Sequence, residues 1–344
     1  MSRDDKNLHI SLQLVRGLAL AMLLFALLFS ASSFAHVKWF VDASLTHEVG
    51  WVPYTLQDTA VLAWLVVATS IIAASILLDS KIPTPPTASN QLSYRIIEVL
   101  RLFTGISLLL TAYDGNLVAP HLPGSEWLGS ALIWLQSIIG VLFIANRAIP
   151  YASALVFILF LGLFIQHGII SIFEYCNMLG IALFFLFNNF PSKIIQQKLK
   201  PYSVDVLRIF TGLSLIALGI TEKLSDSALG ETFITQYHWN FMSIWGFDLF
   251  SNQLFVFSAG VMEVVFGVIL ILGTTTRLNT LVLAIFLTAS NIAIWHGGNN
   301  QLAMMELIGH MPIIGSALIF LLIGYGQRLK VTNVIDHIFP THTS

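Results

Sequence analysis

Long apolar stretches separated by short polar ones run along almost the whole chain. A bilayer core takes about 20 apolar residues per helix, and runs of that order fall at 12–34, 58–78, 92–112, 126–145, 149–166, 169–189, 202–220, 252–273, 277–295 and 303–325. Near the start of two of them the same phrase occurs. Leu100-Arg101-Leu102-Phe103-Thr104-Gly105 returns as Leu207-Arg208-Ile209-Phe210-Thr211-Gly212, each followed by Ser-Leu after one intervening residue. This internal repeat predicts two four-helix units, 92–190 and 202–326. Four crossings bring a chain back to its starting side, so both units insert in the same sense, with any symmetry axis along the membrane normal. The expected fold is an all-α polytopic membrane protein of two fused four-helix transmembrane bundles plus one or two N-terminal helices.

Composition and charge sharpen this picture. Of 344 residues, 56% are hydrophobic and 10% charged, against roughly 25% charged in soluble domains. The net charge of −2, with no long basic run, gives no reason to expect a nucleic-acid partner. With the N-terminus placed inside, all 16 Lys and Arg residues except Lys38 and Lys223 fall on the cytoplasmic side, as the positive-inside tendency demands. That orientation puts the C-terminal tail, 327–344, in the cytoplasm. The polar stretches 81–91 and 191–201 read as cytoplasmic linkers, and 36–80 as an outer loop and one helix. Residues 1–35 have two readings. Arg3, Lys6 and Arg16 precede an apolar run ending in Ser33-Phe34-Ala35, the pattern of a cleaved signal peptide, and the run is also long enough to be a first transmembrane helix. Cleavage would expose His36 as an amino-terminal copper chelator; otherwise His36 is an interfacial neighbour of Trp39 and Phe40. The single cysteine, Cys176, excludes an intrachain disulfide, a Cys-x-x-Cys pair and thiolate-held iron–sulfur clusters.

Among the residues able to carry chemistry, Glu263 stands out because it lies midway along the 252–273 run, about 15 Å from either surface. An ionisable side chain there marks a functional site by default. It is read either as a structural ion pair with Arg208 or as a titrating, ligand-binding group, with His310 as another partner. Glu306 and His310 share one helix face, and Pro312 just beyond them frees a carbonyl one turn back. His296 and the pair Glu222 and Lys223 end neighbouring helices at the same level. The cluster suits the head group of a quinone, whose carbonyls need donors and a proton carrier. No His-x-x-x-His or Cys spacing supports a metal site, and none is assigned. Glu174 holds the matching place to Glu306 in the first repeat. His47, Glu48, His121 and His238 read as solvated loop residues. The segment 225–251 is rich in Phe, Tyr and Trp, which predicts a short amphipathic helix on the outer surface, partly capping the second bundle.

The second repeat resembles the DoxX-like family of four-helix membrane proteins. The resemblance is carried by Leu207-Arg208-Ile209-Phe210-Thr211-Gly212 with Glu222-Lys223-Leu224, then by Glu263-Val264-Val265-Phe266-Gly267 leading through Leu272-Gly273 to Arg277. In the first repeat Gln136 stands where Glu263 does, and Asp114-Gly115-Asn116 where Thr221-Glu222-Lys223 does, the pattern of a degenerate copy. The resemblance implies a bacterial inner-membrane protein acting in quinone-linked electron transfer or a membrane oxidoreductase assembly. In that role Glu263, His310 and Glu306 act as the chemical groups, and Arg208, Glu222, Lys223 and His296 hold the cofactor. The alternative is a non-enzymatic transporter, or a scaffold for a periplasmic, copper-handling partner.

Overall fold

A computed structural model describes residues 54–79, 81–82, 88–225, 228–237, 240–296, 300–324, 326, 328–331 and 333. The predicted signal peptide or first span, His36, His47, Glu48 and His238 lie outside them. Every regular element among the described residues is a helix: α1 (Thr59–Asp79), α2 (Asn90–Tyr113), α3 (Glu126–Ile144), α4 (Ile149–Glu174), α5 (Cys176–Asn188), α6 (Lys193–Leu199), α7 (Ser203–Gly219), α8 (Ala228–Tyr237), α9 (Phe241–Ile244), α10 (Asn252–Leu272), α11 (Thr276–His296) and α12 (Asn300–Leu318). Among the described residues, seven helical stretches are long and apolar enough to cross a membrane, and two shorter apolar helices accompany them. The chain is a multi-pass membrane protein.

The two sets of four helices, α2–α5 and α7 with α10–α12, pack alike. In each set the first helix lies along the second, α2 on α3 and α7 on α10. The last helix of each set packs on the first helix of the other, α5 on α7 and α12 on α2. Such reciprocal contacts are what a twofold relation between parallel units produces.

Glycine makes the tightest of these contacts. A Cβ on Gly212 would lie 2.6 Å from the Gly267 carbonyl oxygen, and one on Gly267 would lie 2.6 Å from that of Gly212. Gly105 and Gly140 repeat the arrangement at 2.8 and 2.9 Å. Helices in lipid gain little from burying apolar surface, so close backbone approach supplies the packing that holds them together.

The repeated arginines act across the same helix pairs. The Arg208 guanidinium, buried within the protein, donates from Nη1 to the carbonyls of Leu270 and Ile271, the latter at 2.8 Å. Its Nη2 reaches the Leu329 carbonyl at 3.2 Å and Asp205 at 3.5 Å. Arg101 does the same for α3, donating to the carbonyls of Phe143 and Ile144, the latter at 2.8 Å. The last carbonyls of a helix have no intrahelical donors. In lipid, leaving them unmet is costly, and a cation there also answers the helix dipole. Gly273 ends α10 in the left-handed region, φ 76°, and the Arg208 guanidinium lies against it, 2.8 Å from where a Cβ would stand. A glycine is therefore required there on two counts.

The expected break between the runs 149–166 and 169–189 is present, because Gly168 (φ 80°, ψ −176°) is non-helical and divides α4 into two helical parts. One expectation is corrected in the first set: the second run is interrupted again at Tyr175, and the helix that starts at Cys176 has 13 residues, about 20 Å of rise. The chain turns at Gly168 because the end before it is pinned: Gln166 accepts from Ser125, and the His167 Nε2 lies 3.1 Å from the Pro123 carbonyl. The 225–251 segment forms two short helices, α8 and α9, where one was expected. Phe233, Ile234 and Met242 from them close over Phe255 and Val256 at the start of α10.

Helix α1 stands outside the two sets and joins the second. Trp64 packs with Met262, Phe266, Val282 and Phe286. Asp79 accepts the Thr275 amide at 2.8 Å and pairs with Lys330, while Ser75 and Thr274 share a hydrogen bond of 2.9 Å. Gly212→Val drives a side chain into the α7–α10 crossing and is expected to cost about 1–3 kcal/mol. Gly324→Ala, which adds a methyl to open space at an extended residue, leaves thermal unfolding in detergent unchanged.

Candidate functional site

Glycines flanking α7 and α10 decide where the charged groups meet. A Cβ on Gly260 would lie 2.8 Å from the Lys223 Cβ, and one on Gly219 would lie 3.1 Å from the Glu263 Cβ. Between these gaps the Lys223 Nζ donates to both Glu263 carboxylate oxygens at 2.9 Å. Both side chains are at least 96% buried. Lys223 reaches inward from a π turn, Ile220–Leu224, which continues α7; such bulges recur at functional sites.

The expected Arg208–Glu263 pair does not form. Glu263 packs at the level of Gly219, eleven residues along α7 from Arg208, or about 16 Å of helix rise. Arg208 is occupied at the far end with the carbonyls of α10. The sequence places Lys223 at a helix end, but its inward turn depends on the π geometry and on Gly260, which no spacing rule reveals.

The first repeat meets the same packing demand without charge. Gln136 Nε2 donates to the Leu108 carbonyl at 3.0 Å, to Thr111 at 2.9 Å and to the Asn116 carbonyl at 3.2 Å, while its Oε1 accepts the Val118 amide at 2.8 Å. Asn116 occupies the repeat position of Lys223, so an amide bound to backbone replaces a carboxylate bound to an ammonium. Glu174, 1% exposed, accepts the Thr221 hydroxyl at 2.6 Å, and the Ser214 hydroxyl donates to its carbonyl. This acid of the first repeat thus ties α4 to α7 of the second.

The second set, together with Asn177 of α5, lines a partly open cavity of about 190 Å³. On α7 its wall is the stripe Thr211, Ser214, Leu215 and Leu218, spaced as one helix face. Opposite stand Leu283, Ala284 and Leu287 of α11 and Ile313, Ile314 and Ala317 of α12. The lining is mostly aliphatic. Its hydroxyls are already committed: Thr211 donates to the Leu207 carbonyl and Thr280 to that of Thr276, both at 2.8 Å, and Thr288 to that of Ala284 at 2.7 Å.

His310 is the titratable member of the lining and is 1% exposed. Glu306, also 1% exposed, precedes it by one turn on the same face of α12, and Glu222, fully buried, lies in the π turn that continues α7, four residues past Leu218. The structure therefore brings His310 to the cavity, while Glu306 and Glu222 are not part of its lining. Glu263, Lys223 and Arg208 sit in the α7–α10 contact and do not line it. His296 ends α11, and its side chain is outside the described residues. Among the described residues no group of three His, Cys, Asp or Glu side chains is placed to hold a metal ion. Cys176 is buried and donates to the Phe210 carbonyl.

The segment from the start of α7 to the end of α11 carries the arginine clamp, the glycine crossing and the buried Lys223–Glu263 pair, and residues 203–296 match the DoxX family model. This segment is a DoxX domain. No curated protein and no solved structure matches the chain. The DoxX match includes Arg208, Glu222, Lys223 and Glu263 but stops before α12, so Glu306 and His310 come from outside the matched segment.

Removing one member of the buried pair leaves the other charge without its partner. Glu263→Gln and Lys223→Met are each expected to destabilise the protein by about 3–5 kcal/mol. The uncharged double variant Lys223→Met/Glu263→Gln imitates the first repeat and should recover most of that loss. Unfolding midpoints in detergent check this; a double variant as unstable as the summed singles would contradict it.

Proposed function

We propose that the second bundle binds the head group of a quinone, and that the protein is a membrane subunit in quinone-linked electron transfer. The observation that carries this reading is the aliphatic cavity between spanning helices with a buried histidine in its wall. Typical small-molecule pockets begin at roughly 300 Å³. A cavity of about 190 Å³ suits a ring-sized head, with an isoprenoid tail left to lie among the lipid-facing side chains.

A bound quinone supplies the two-electron chemistry. The chain's own residues supply position and protons. The His310 imidazole donates to a carbonyl or accepts from a hydroxyl. Glu306, one turn away, is the next acid on the same helix face and serves as its proton partner. The aliphatic walls keep water from the head group. The Lys223–Glu263 pair and the arginine clamp hold α7 against α10, so the cavity wall on α7 keeps its shape. In this reading the protein sits in a bacterial inner membrane with its C-terminus cytoplasmic, as its basic loops suggest.

The test is quinone carried by the purified protein. Wild-type protein is expected to hold quinone through extraction, and His310→Ala to bind it at least about tenfold more weakly, the effect of one charge-assisted or strong hydrogen bond. Unchanged affinity in His310→Ala would count against the site, and no quinone binding by wild-type protein would count against the function.

A further inference from the structure

We infer that Asn177, from the first repeat, is the second polar group that binds the ligand's head, and that one buried water supports it from behind. The inference rests on the quinone reading for the identity of the ligand. Asn177 lies near the start of α5, and α5 packs on α7. Its side chain is 6% exposed, yet it lines the large cavity that also holds His310.

Asn177 also lines a second void, of about 10 Å³, shared with Ser107, Tyr175, Gly309 and Pro312. A void needs roughly 10–15 Å³ and two to four polar partners to hold one water, so this one accommodates a single molecule. Tyr175 is already engaged, its hydroxyl 3.4 Å from the His121 Nδ1. The Asn177 amide and the Ser107 hydroxyl, 6% and 2% exposed, make no side-chain hydrogen bond among the described residues. A buried amide without partners is costly, and the cost is greatest within a membrane. Its retention at the wall between a cavity and a water-sized void is explained if it is met from both sides, by the ligand and by the water held with Ser107.

The chemistry selects a class of ligand. A primary amide both donates and accepts, as does an imidazole. Asn177 and His310 together therefore recognise a head with two oxygens, as carbonyls in the oxidised form or hydroxyls in the reduced form. A plain hydrocarbon or a charged head finds no counterpart there. The site is assembled from both repeats, α5 giving Asn177 and α12 giving His310.

Binding of decylubiquinone to the purified full chain in detergent tests this, with decylbenzene as a probe that has the tail and ring but no oxygens. Asn177→Leu keeps the side chain's size and removes its polarity. It is expected to bind decylubiquinone about tenfold more weakly, the loss of one hydrogen bond, with decylbenzene affinity unchanged. Unchanged decylubiquinone affinity in Asn177→Leu, with loss in His310→Ala, would overturn the role of Asn177 and leave the quinone site standing. An equal loss for both probes would reduce Asn177 to packing and also overturn it. Wild-type protein that does not prefer decylubiquinone to decylbenzene would overturn both readings. Should Asn177→Leu fail to fold, Ser107→Ala, which touches only the water side, decides instead: a loss of about threefold supports the inference, and unchanged affinity overturns it.

Discussion

In a membrane the carbonyls that end a helix must find donors within the protein, and in both repeats an arginine from the neighbouring helix supplies them. Arg101 closes α3 and Arg208 closes α10. The remaining architecture follows from this contact. To deliver its guanidinium, each arginine helix must lie close along its partner, which the glycine pairs Gly105/Gly140 and Gly212/Gly267 allow. Once the two helices are joined in each repeat, the last helix of one repeat packs against the arginine helix of the other. Arg208 also gathers Asp205 and the chain at Leu329, so the C-terminal segment is held by the same clamp.

The repeats differ at the other end of the crossing. Gln136 satisfies the backbone of the turn after α2, whereas Glu263 binds a lysine that the π turn carries inward. The two solutions fill equivalent positions, one with an amide bound to backbone and the other with a carboxylate bound to an ammonium. A buried ion pair contributes little net stability compared with an uncharged packing. What the pair does geometrically is tie the π turn, through Lys223, to the middle of α10.

The cavity opens in the second repeat but depends on the first. Ser214, on the α7 helix that forms one wall, and Thr221, in the π turn that continues it, are tied to Glu174 of α4. Asn177 reaches the cavity from α5. A duplicated fold can thus divide labour, with one copy giving the enclosing helices and the other bracing them and contributing a polar group.

The fold was legible in the sequence to a large degree, because apolar run length, basic-residue placement and the repeated Leu-Arg-x-Phe-Thr-Gly are all local patterns. They foresaw an all-helical, multi-pass membrane protein. They also foresaw His310 and Glu306 as neighbours, since residues four apart share a helix face. Which groups meet across helices was decided by the tertiary structure. The partner of Glu263 is Lys223 and not Arg208, because the depth of a long side chain in a bundle depends on a π turn and on the space left by Gly260. Asn177 drew no attention in the sequence, since a lone amide in an apolar run has no pattern to betray it. Its place between a cavity and a water-sized void exists only where helices from both repeats come together.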